Sequence, residues 1–293
     1  MIALWSGQSV LREQILDAAG NLQAFKGRVL LAFVGIAMGT AAVITMLHIG
    51  SNARSEAMRQ FGALGIDLVN ITPRSNTDGR AAVSVGFAKA LPSLGVGLSV
   101  AAPIIQAGSN LRVGRDVVAA TLVAAQDNLF RLAKVVLQSG RVTSDLDGFA
   151  PYVVLGADVA DRVSRSSGRT PTIGDQIMVD DQSMTVIGIL KPTYMNMVLN
   201  LDLNQSIIVP FGAARRFLSD PQITNIAAQL APNVDESKMR QQVMAIFREQ
   251  TGRAEPVSVQ TARQLIAGLN QQMRVYGLLL LAIGRSRTGQ YGT

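Results

Sequence analysis

The chain has 293 residues, a formal charge of +7, and 48% hydrophobic but only 5% aromatic residues. This composition suits one large or two modest folded units whose core volume comes from Val, Ile, Leu, Ala and Met. It has no cysteine and a single histidine, His48, which excludes disulfides, zinc–thiolate sites, cysteine nucleophiles and any imidazole-based triad or metal cluster within one chain. The positive residues are scattered rather than gathered into a Lys/Arg run with interleaved aromatics, so nucleic acid is not expected as a partner.

From the N-terminus, Leu11, Ile15, Ala18, Leu22 and Phe25 recur at steps of three and four, with Arg12, Glu13, Asp17 and Asn21 on other faces. Residues 1–28 therefore read as a cytoplasmic amphipathic segment lying along a membrane surface. The next 21 residues, VLLAFVGIAMGTAAVITMLHI (Val29–Ile49), contain no charge. As a helix they would extend about 31 Å, matching a hydrocarbon core of about 30 Å. Thr40 and Thr45 do not oppose insertion, because their hydroxyls can bond back to the helix's own carbonyls, and His48 falls at the interface end. Lys26 and Arg28 abut the front of the span, which favours a cytoplasmic N-terminus and a bulk that lies outside the cytoplasm. Gly35 and Gly39 form a G-x-x-x-G pair, a pattern that lets helix backbones approach closely and is also common in membrane helices generally.

From about 51 to 272 the pattern is that of an α+β unit. IDLVNITP (Ile66–Pro73) reads as a strand ended by proline, and TPRSNTDGR as a loop. VGFAKALPSL suggests a short helix broken by Pro92, and GLSVAAPIIQAG and RDVVAATLVAA read as strands. Tyr152–Leu155 reads as a buried strand followed by a helix. GDQIMVDDQSMTVIGILKP is a hairpin pattern, with its turn expected at Asp181-Gln182. SIIVPFGAARRFL reads as a strand and then a helix opened by Pro210. After a strand in TNIAAQL, a helix is expected with Asn233 as cap and Glu236 as capping-box partner. Its apolar face is Met239, Val243, Ile246 and Phe247, and Gly252 ends it. From Thr261 onward, Leu265, Leu269, Met273, Tyr276 and Leu280 keep a helical spacing, so one helix is expected to run from this unit into a short apolar tail. Both ends of the unit then return to the membrane.

Catalytic and cofactor patterns do not emerge. There is no G-x-x-x-x-G-K-[ST] loop. GVG at Gly95–Gly97 and DLDG at Asp145–Gly148 read as turns, the second lacking the Glu that a calcium loop requires at its twelfth position. Asp180-Asp181 reads as a hairpin tip rather than a carboxylate pair. No serine has a histidine base within a folded unit. No catalytic, cofactor-binding or metal residue is assigned; the candidate site residues are Gly35 and Gly39, for helix packing.

The segment GRVLLAFVGIAMGTAAVITMLHIGSNARSEAMRQFGALGIDLVNITP resembles the first membrane segment of MacB/FtsX-type ABC transporter permeases and its lead into their periplasmic core domain. Gly35, Gly39, Gly50, Gly65, Ile66–Thr72 and Pro73 carry that similarity. SGR (Ser139–Arg141), VVLG (Val153–Gly156), IGDQIMV (Ile173–Val179) and TVIGILKP (Thr185–Pro192) come next, in the family's order. The resemblance implies an α+β fold: an N-terminal transmembrane helix (29–49) followed by a two-lobed periplasmic domain. Its porter-like lobe (51–110 plus 222–272) would contain an inserted Sabre-like lobe (111–221). It further implies an inner-membrane permease subunit that couples cytoplasmic ATP hydrolysis to movement of the outer domain. ATP would be bound by a separate ABC ATPase subunit. The permease would work as a homodimer or permease pair, and its further partners would be a periplasmic adaptor protein and an outer-membrane channel. Residues 275–283 would form an incomplete second membrane helix, too short to cross, and 284–293 a divergent tail. A truncated form that does not transport alone is therefore expected. The alternative is a singly membrane-anchored periplasmic binding or adaptor domain. A tethered enzyme is disfavoured by the absence of any catalytic constellation.

Overall fold

The computed structural model describes residues 67–74, 83–252 and 256–268, scattered positions between 27 and 52, and Gln271, Gln272 and Val275. The chain divides into two units, 1–57 and 58–293. In the first, residues 33–42 are helical. The hydroxyl of Thr40 donates to the carbonyls of Ile36 and Ala37 at 3.0 Å, and that of Thr45 to Ala41 at 2.7 Å. These are the back-bonds that make threonine compatible with an apolar helix. Leu30, Leu31, Phe33, Ile36, Met38 and Ile44 are exposed. Among the described residues no helix is long and apolar enough to cross a membrane. The expected span 29–49 includes positions outside the described residues, as do the amphipathic segment, the loop at 75–82 and the tail beyond Val275.

The second unit runs β1 (Leu68–Pro73), α1 (Val85–Ala90), β2 (Leu98–Val113), β3 (Asp116–Ala125), α2 (Asp127–Leu132), β4 (Leu137–Gly140), β5 (Tyr152–Leu155), α3 (Ala157–Ser167), β6 (Gln176–Val179), β7 (Gln182–Leu190), β8 (Ser206–Pro210), β9 (Asn225–Leu230), α4 (Glu236–Thr251) and β10 (Val257–Thr261). The strand pairing defines two lobes. In the first, the strands lie in the order β10-β1-β9-β2, all antiparallel. The connections β1-α1-β2 and β9-α4-β10 make this a split βαβ arrangement. One face of the sheet offers Val69, Ile71, Ala101, Ile226, Ala228, Val257 and Val259 to Leu91, Met239, Val243 and Phe247. Phe87 meets the Phe247 ring edge-on, with centroids 5.0 Å apart and planes at 85°, the arrangement that ring quadrupoles favour.

The second lobe is a closed ring. β2 pairs with β3, β3 with β8, β8 with β5, β5 with β7, β7 with β6, and β6 again with β2. Closure satisfies the backbone without leaving exposed edges. Inside lie Leu111, Leu122, Val153, Leu155, Val179, Met184, Ile207 and Val209, with Val159 and Val163 of α3 packed against them. β4 adds to β7 outside the ring. β2 belongs to both lobes. Its first half pairs with β9 and its second with β3 and β6. Its 16 residues extend roughly 50 Å at a rise of about 3.3 Å each.

Several local expectations are corrected. The hairpin turn is Asp180-Asp181, not Asp181-Gln182: both aspartates have positive φ (41° and 65°), as a two-residue turn matched to strand twist demands. The carboxylate of Asp180 accepts from the Asn110 amide at 2.9 Å and that of Asp181 faces Arg112 at 3.1 Å, so these groups fasten the hairpin. Pro210 ends β8 and leads into a 3₁₀ segment, Phe211–Arg216, not an α-helix. The cap of α4 is Asp235, which accepts from the amides of Ser237 (2.7 Å) and Lys238 (3.4 Å), whereas Asn233 sits at φ 60° before the helix. The turn expected at Asp145–Gly148 is present, as a 3₁₀ turn over Asp145–Asp147 capped by Ser144. Pro92 falls in a 3₁₀ segment, Leu91–Leu94, that continues α1.

Candidate functional site

The start of β1 and the end of β10 lie at one end of the first lobe. Because β1 and β10 are antiparallel, with Val69 opposite Thr261, the start of β1 lies beside the end of β10. The last residue of β9 joins them, its amide at Leu230 donating to the carbonyl of Asp67 at 2.8 Å. After β10 the chain turns helical through residues 262–268. Thr261 caps that helix, its hydroxyl oxygen accepting from the Gln264 amide at 3.2 Å. The same hydroxyl donates to Oε2 of Glu236 at 2.8 Å. Arg263, in the first helical turn, reaches Oδ1 of Asp67 at 3.1 Å and Oε1 of Glu236 at 3.3 Å. Glu236 opens α4 and is the least exposed of the three, at 19%. One guanidinium and one hydroxyl thus tie together the incoming strand, the outgoing helix and the N-terminus of α4.

Asp235, next to Glu236, is held below the ordinary carboxylate range by the Ser237 and Lys238 amides it caps. Each exposed ion pair at this base is worth little by itself, about 0.2–1 kcal/mol. Its effect is geometric: it ties the first turn of the outgoing helix to Asp67 and to the start of α4.

A second polar cluster lies where the lobes join. The amide and the hydroxyl of Thr224 both donate to the Ile104 carbonyl, at 2.9 and 3.0 Å, and the hydroxyl oxygen accepts from the Gln106 amide at 3.1 Å. Gln106 donates to Oδ1 of Asn225 at 3.1 Å, and Asn225 donates to Oδ1 of Asn70 at 3.3 Å and to the carbonyl of Leu199 at 3.2 Å. Asn70 and Asn225 are buried on the sheet face opposite the helices, as strand alternation requires. Leu199 belongs to the long β7–β8 connection of the second lobe, so this network bonds one lobe to the other in the interior, where each lost partner is costly.

Of the residues singled out from sequence, Gly35 and Gly39 both lie on the helical stretch 33–42, and, apart from the adjoining residues and the helix's own backbone, no heavy atom among the described residues comes within 4 Å of where a Cβ would stand on either. Among the described residues, no group of three His, Cys, Asp or Glu side chains could hold a metal ion. Sequence reasoning missed Asp67, Glu236, Thr261 and Arg263 as a group. The one available signal was the convergence of the two ends, since charge pairing between positions so distant leaves no periodicity to read.

A family profile described as the MacB-like periplasmic core domain matches residues 29–246. The chain is 24% identical over 283 residues to the macrolide export ATP-binding/permease protein MacB 1/2 of Paracoccus denitrificans, covering 93% of this chain and 41% of that protein. It is also 24% identical over 231 residues to MacB of Escherichia coli, covering 76% of this chain and 35% of the relative. The chain therefore spans well under half the length of these relatives. Its fold resembles the periplasmic region of MacB from Actinobacillus actinomycetemcomitans, with a TM-score of 0.59 and 13% identity over 73% of this chain and 98% of the other. It also resembles the extracellular domain of the noncanonic ABC-type transporter YknZ from Gram-positive bacteria, with a TM-score of 0.53 and 16% identity over 66% of this chain and all of the other. The profile match covers well over half the chain, and with a split βαβ lobe and a barrel threaded on a shared strand, the protein belongs to the MacB-like periplasmic core domain family.

Proposed function

We propose that this chain is a membrane-anchored, non-catalytic extracytoplasmic domain of a MacB-type transport system, and that it acts by binding and holding other components. The observation that carries the reading is the common base. The strand that enters the domain and the helix that leaves it are joined through Asp67, Glu236, Thr261 and Arg263. A domain whose first strand begins and whose last strand ends at one pole is suited to stand on a membrane. In this reading Val29–Ile49 is the anchor, with the N-terminus cytoplasmic and Gly35 and Gly39 available for helix packing. Residues 275–283 begin a second membrane segment. In this reading the first lobe is the porter-like part and the barrel the Sabre-like part. ATP is hydrolysed by a separate ABC ATPase, and a permease pair, a periplasmic adaptor and an outer-membrane channel complete the system. The test is protease accessibility from the outside combined with carbonate extraction. A domain digested only from the cytoplasmic side, or released by carbonate, would refute it.

A second reading, mechanical coupling of ATP hydrolysis to the outer domain, is favoured by the contacts that tie the first turn of the outgoing helix to Asp67 and Glu236 and by the strand shared between lobes, both of which would pass a displacement outward. Two glycines inserted near Gln271, in a version carrying the remaining membrane segments and paired with its ATPase, should abolish export while ATP hydrolysis continues. Unchanged export would exclude this second reading.

A further inference from the structure

The Ser139-Gly140-Arg141 motif lies far in sequence from the common base and organises a different surface. Gly140 has φ 77°, and a Cβ there would collide with the carbonyl of Ile187, so only glycine lets the chain turn at this point. The turn aims Arg141 at Asp147 in a two-pronged pair, Nη1 to Oδ2 at 2.8 Å and Nη2 to Oδ1 at 2.7 Å. The guanidinium also lies over the Tyr152 ring, 5.4 Å from its centre. Asp147 in turn accepts from the Ser144 amide at 2.7 Å, and Ser144 accepts from the Leu146 amide at 3.3 Å. Gly148 and Gly212 meet backbone to backbone, and a Cβ on Gly212 would lie 2.7 Å from the Gly148 carbonyl oxygen. Arg216 donates from Nε to the Phe149 carbonyl at 3.0 Å.

This bracing displays two apolar side chains. Leu146 is 96% exposed and Phe149 62% exposed. Beside them, at the lobe junction, lies a cleft of about 230 Å³ lined by Val85 and Lys89 of α1 and by Gln126, Pro210 and Phe211. Lys89 and Asp145 pair across it at 3.1 Å. These bonds brace the backbone of the turn, so that an apolar side chain it carries can enter a partner's pocket with little cost of ordering the loop.

The charges define the partner. Asp145 is matched by Lys89 and Asp147 by Arg141. Among the described residues, no carboxylate pairs with Arg216 or its neighbour Arg215, both exposed at the edge of the turn. The surface is thus apolar at its tip and cationic at its rim. A lipid surface fits it poorly, because Leu146 is bracketed by two aspartates that would have to approach anionic headgroups. A second copy of the chain fits poorly too, since a two-fold interface would set the same cations of the two rims against each other.

We propose that the turn 144–149 and the adjoining cleft are a docking surface for a second, different protein that presents an apolar pocket rimmed by carboxylates. The proposal deepens the reading of the chain as an extracytoplasmic docking domain and rests on it. The experiment places a photo-cross-linking amino acid at position 146 of the full chain, in the cells that make it, with position 117 as control because Val117 is also exposed and apolar. The expected result is a discrete adduct from 146 and not from 117, abolished by Arg216→Glu and identified by mass spectrometry as another protein. That protein, purified, should bind the chain at least tenfold more weakly after Leu146→Ser with Phe149→Ser, with an unchanged melting temperature, and equally well after Val117→Ser. No adduct, an adduct with lipid or with a second copy, equal adducts from both positions, or binding indifferent to Arg216 would overturn the proposal. Carbonate extraction of the same cells reads the anchoring independently, so failure of the docking surface is distinguishable from failure of the functional reading.

Discussion

Arg263 and Asp67 are separated by 196 positions in the chain, yet their side chains meet at 3.1 Å. The contact joins the first residue before β1 to the first turn after β10. Everything between them, both lobes included, is a loop closed at this point, and the Arg263–Glu236 contact at 3.3 Å adds α4 to the closure.

Replacing the pair should therefore alter geometry more than stability. A double-mutant cycle of Arg263→Met and Asp67→Asn is expected to give a coupling of about 0.2–1 kcal/mol, because both side chains are near half exposed and screened by solvent. Urea denaturation checks it, and the coupling should shrink in molar salt. The angle of the outgoing helix, read by spin labels on α4 and near Gln271 in this cysteine-free chain, should broaden in the Arg263→Met variant.

The interior network predicts a larger cost. Asn225→Leu removes the donor to Asn70 and Leu199 and the acceptor for Gln106, leaving buried polar groups without partners. The expected loss is about 1–3 kcal/mol, measured from denaturation midpoints. Changing Asn70 to leucine in the same chain should restore part of it, since an apolar pair leaves fewer unmet groups than a broken polar one.

Acid should loosen the turn at 144–149. The hydrogen bonds from Arg141 hold Asp147 below the ordinary carboxylate range, helped by the Ser144 amide and opposed by partial burial. A carboxyl whose pKa is lowered on folding adds stability that is fully present above its unfolded value of about 3.9. That stability is lost as the pH falls through the depressed folded value. Asp175, lowered by the Thr172 amide and by Arg169, adds in the same direction. The stability of wild type relative to Asp147→Asn is expected to be constant near neutral pH and to converge below about pH 4, as followed by thermal melts across that range.

Much of the local structure was legible because it rests on short-range rules. Tyr152–Leu155 was readable as a strand from a β-branched run between turn residues, and Met239, Val243 and Phe247 as a helix face from their spacing; all three of the latter are buried. The departures have physical causes of their own. Asn233 and Asp235 are both good caps, and the choice between them fell to the backbone, which put Asn233 at positive φ. The 3₁₀ geometry of Phe211–Arg216 reflects close packing against Gly148, a contact with a distant segment. Ring closure was invisible: it rests on two residue pairs, Leu111 with Val179 and Arg112 with Met178, too few to mark either strand. The base was invisible for the same reason, since Arg263 acts on partners supplied by the fold.

Thr224 and Ile104 face each other across the point where β2 leaves the first sheet, 2.9 Å from amide to carbonyl. The barrel therefore begins and ends at neighbouring positions, like a guest admitted through a single doorway. A short turn put in its place would leave β2 and β9 as an ordinary hairpin, and the four-stranded host would keep its own hydrophobic interior. Evolution can thus resize or redecorate the guest without disturbing how the host is moored, which leaves the choice of companion and the manner of attachment free to diverge separately.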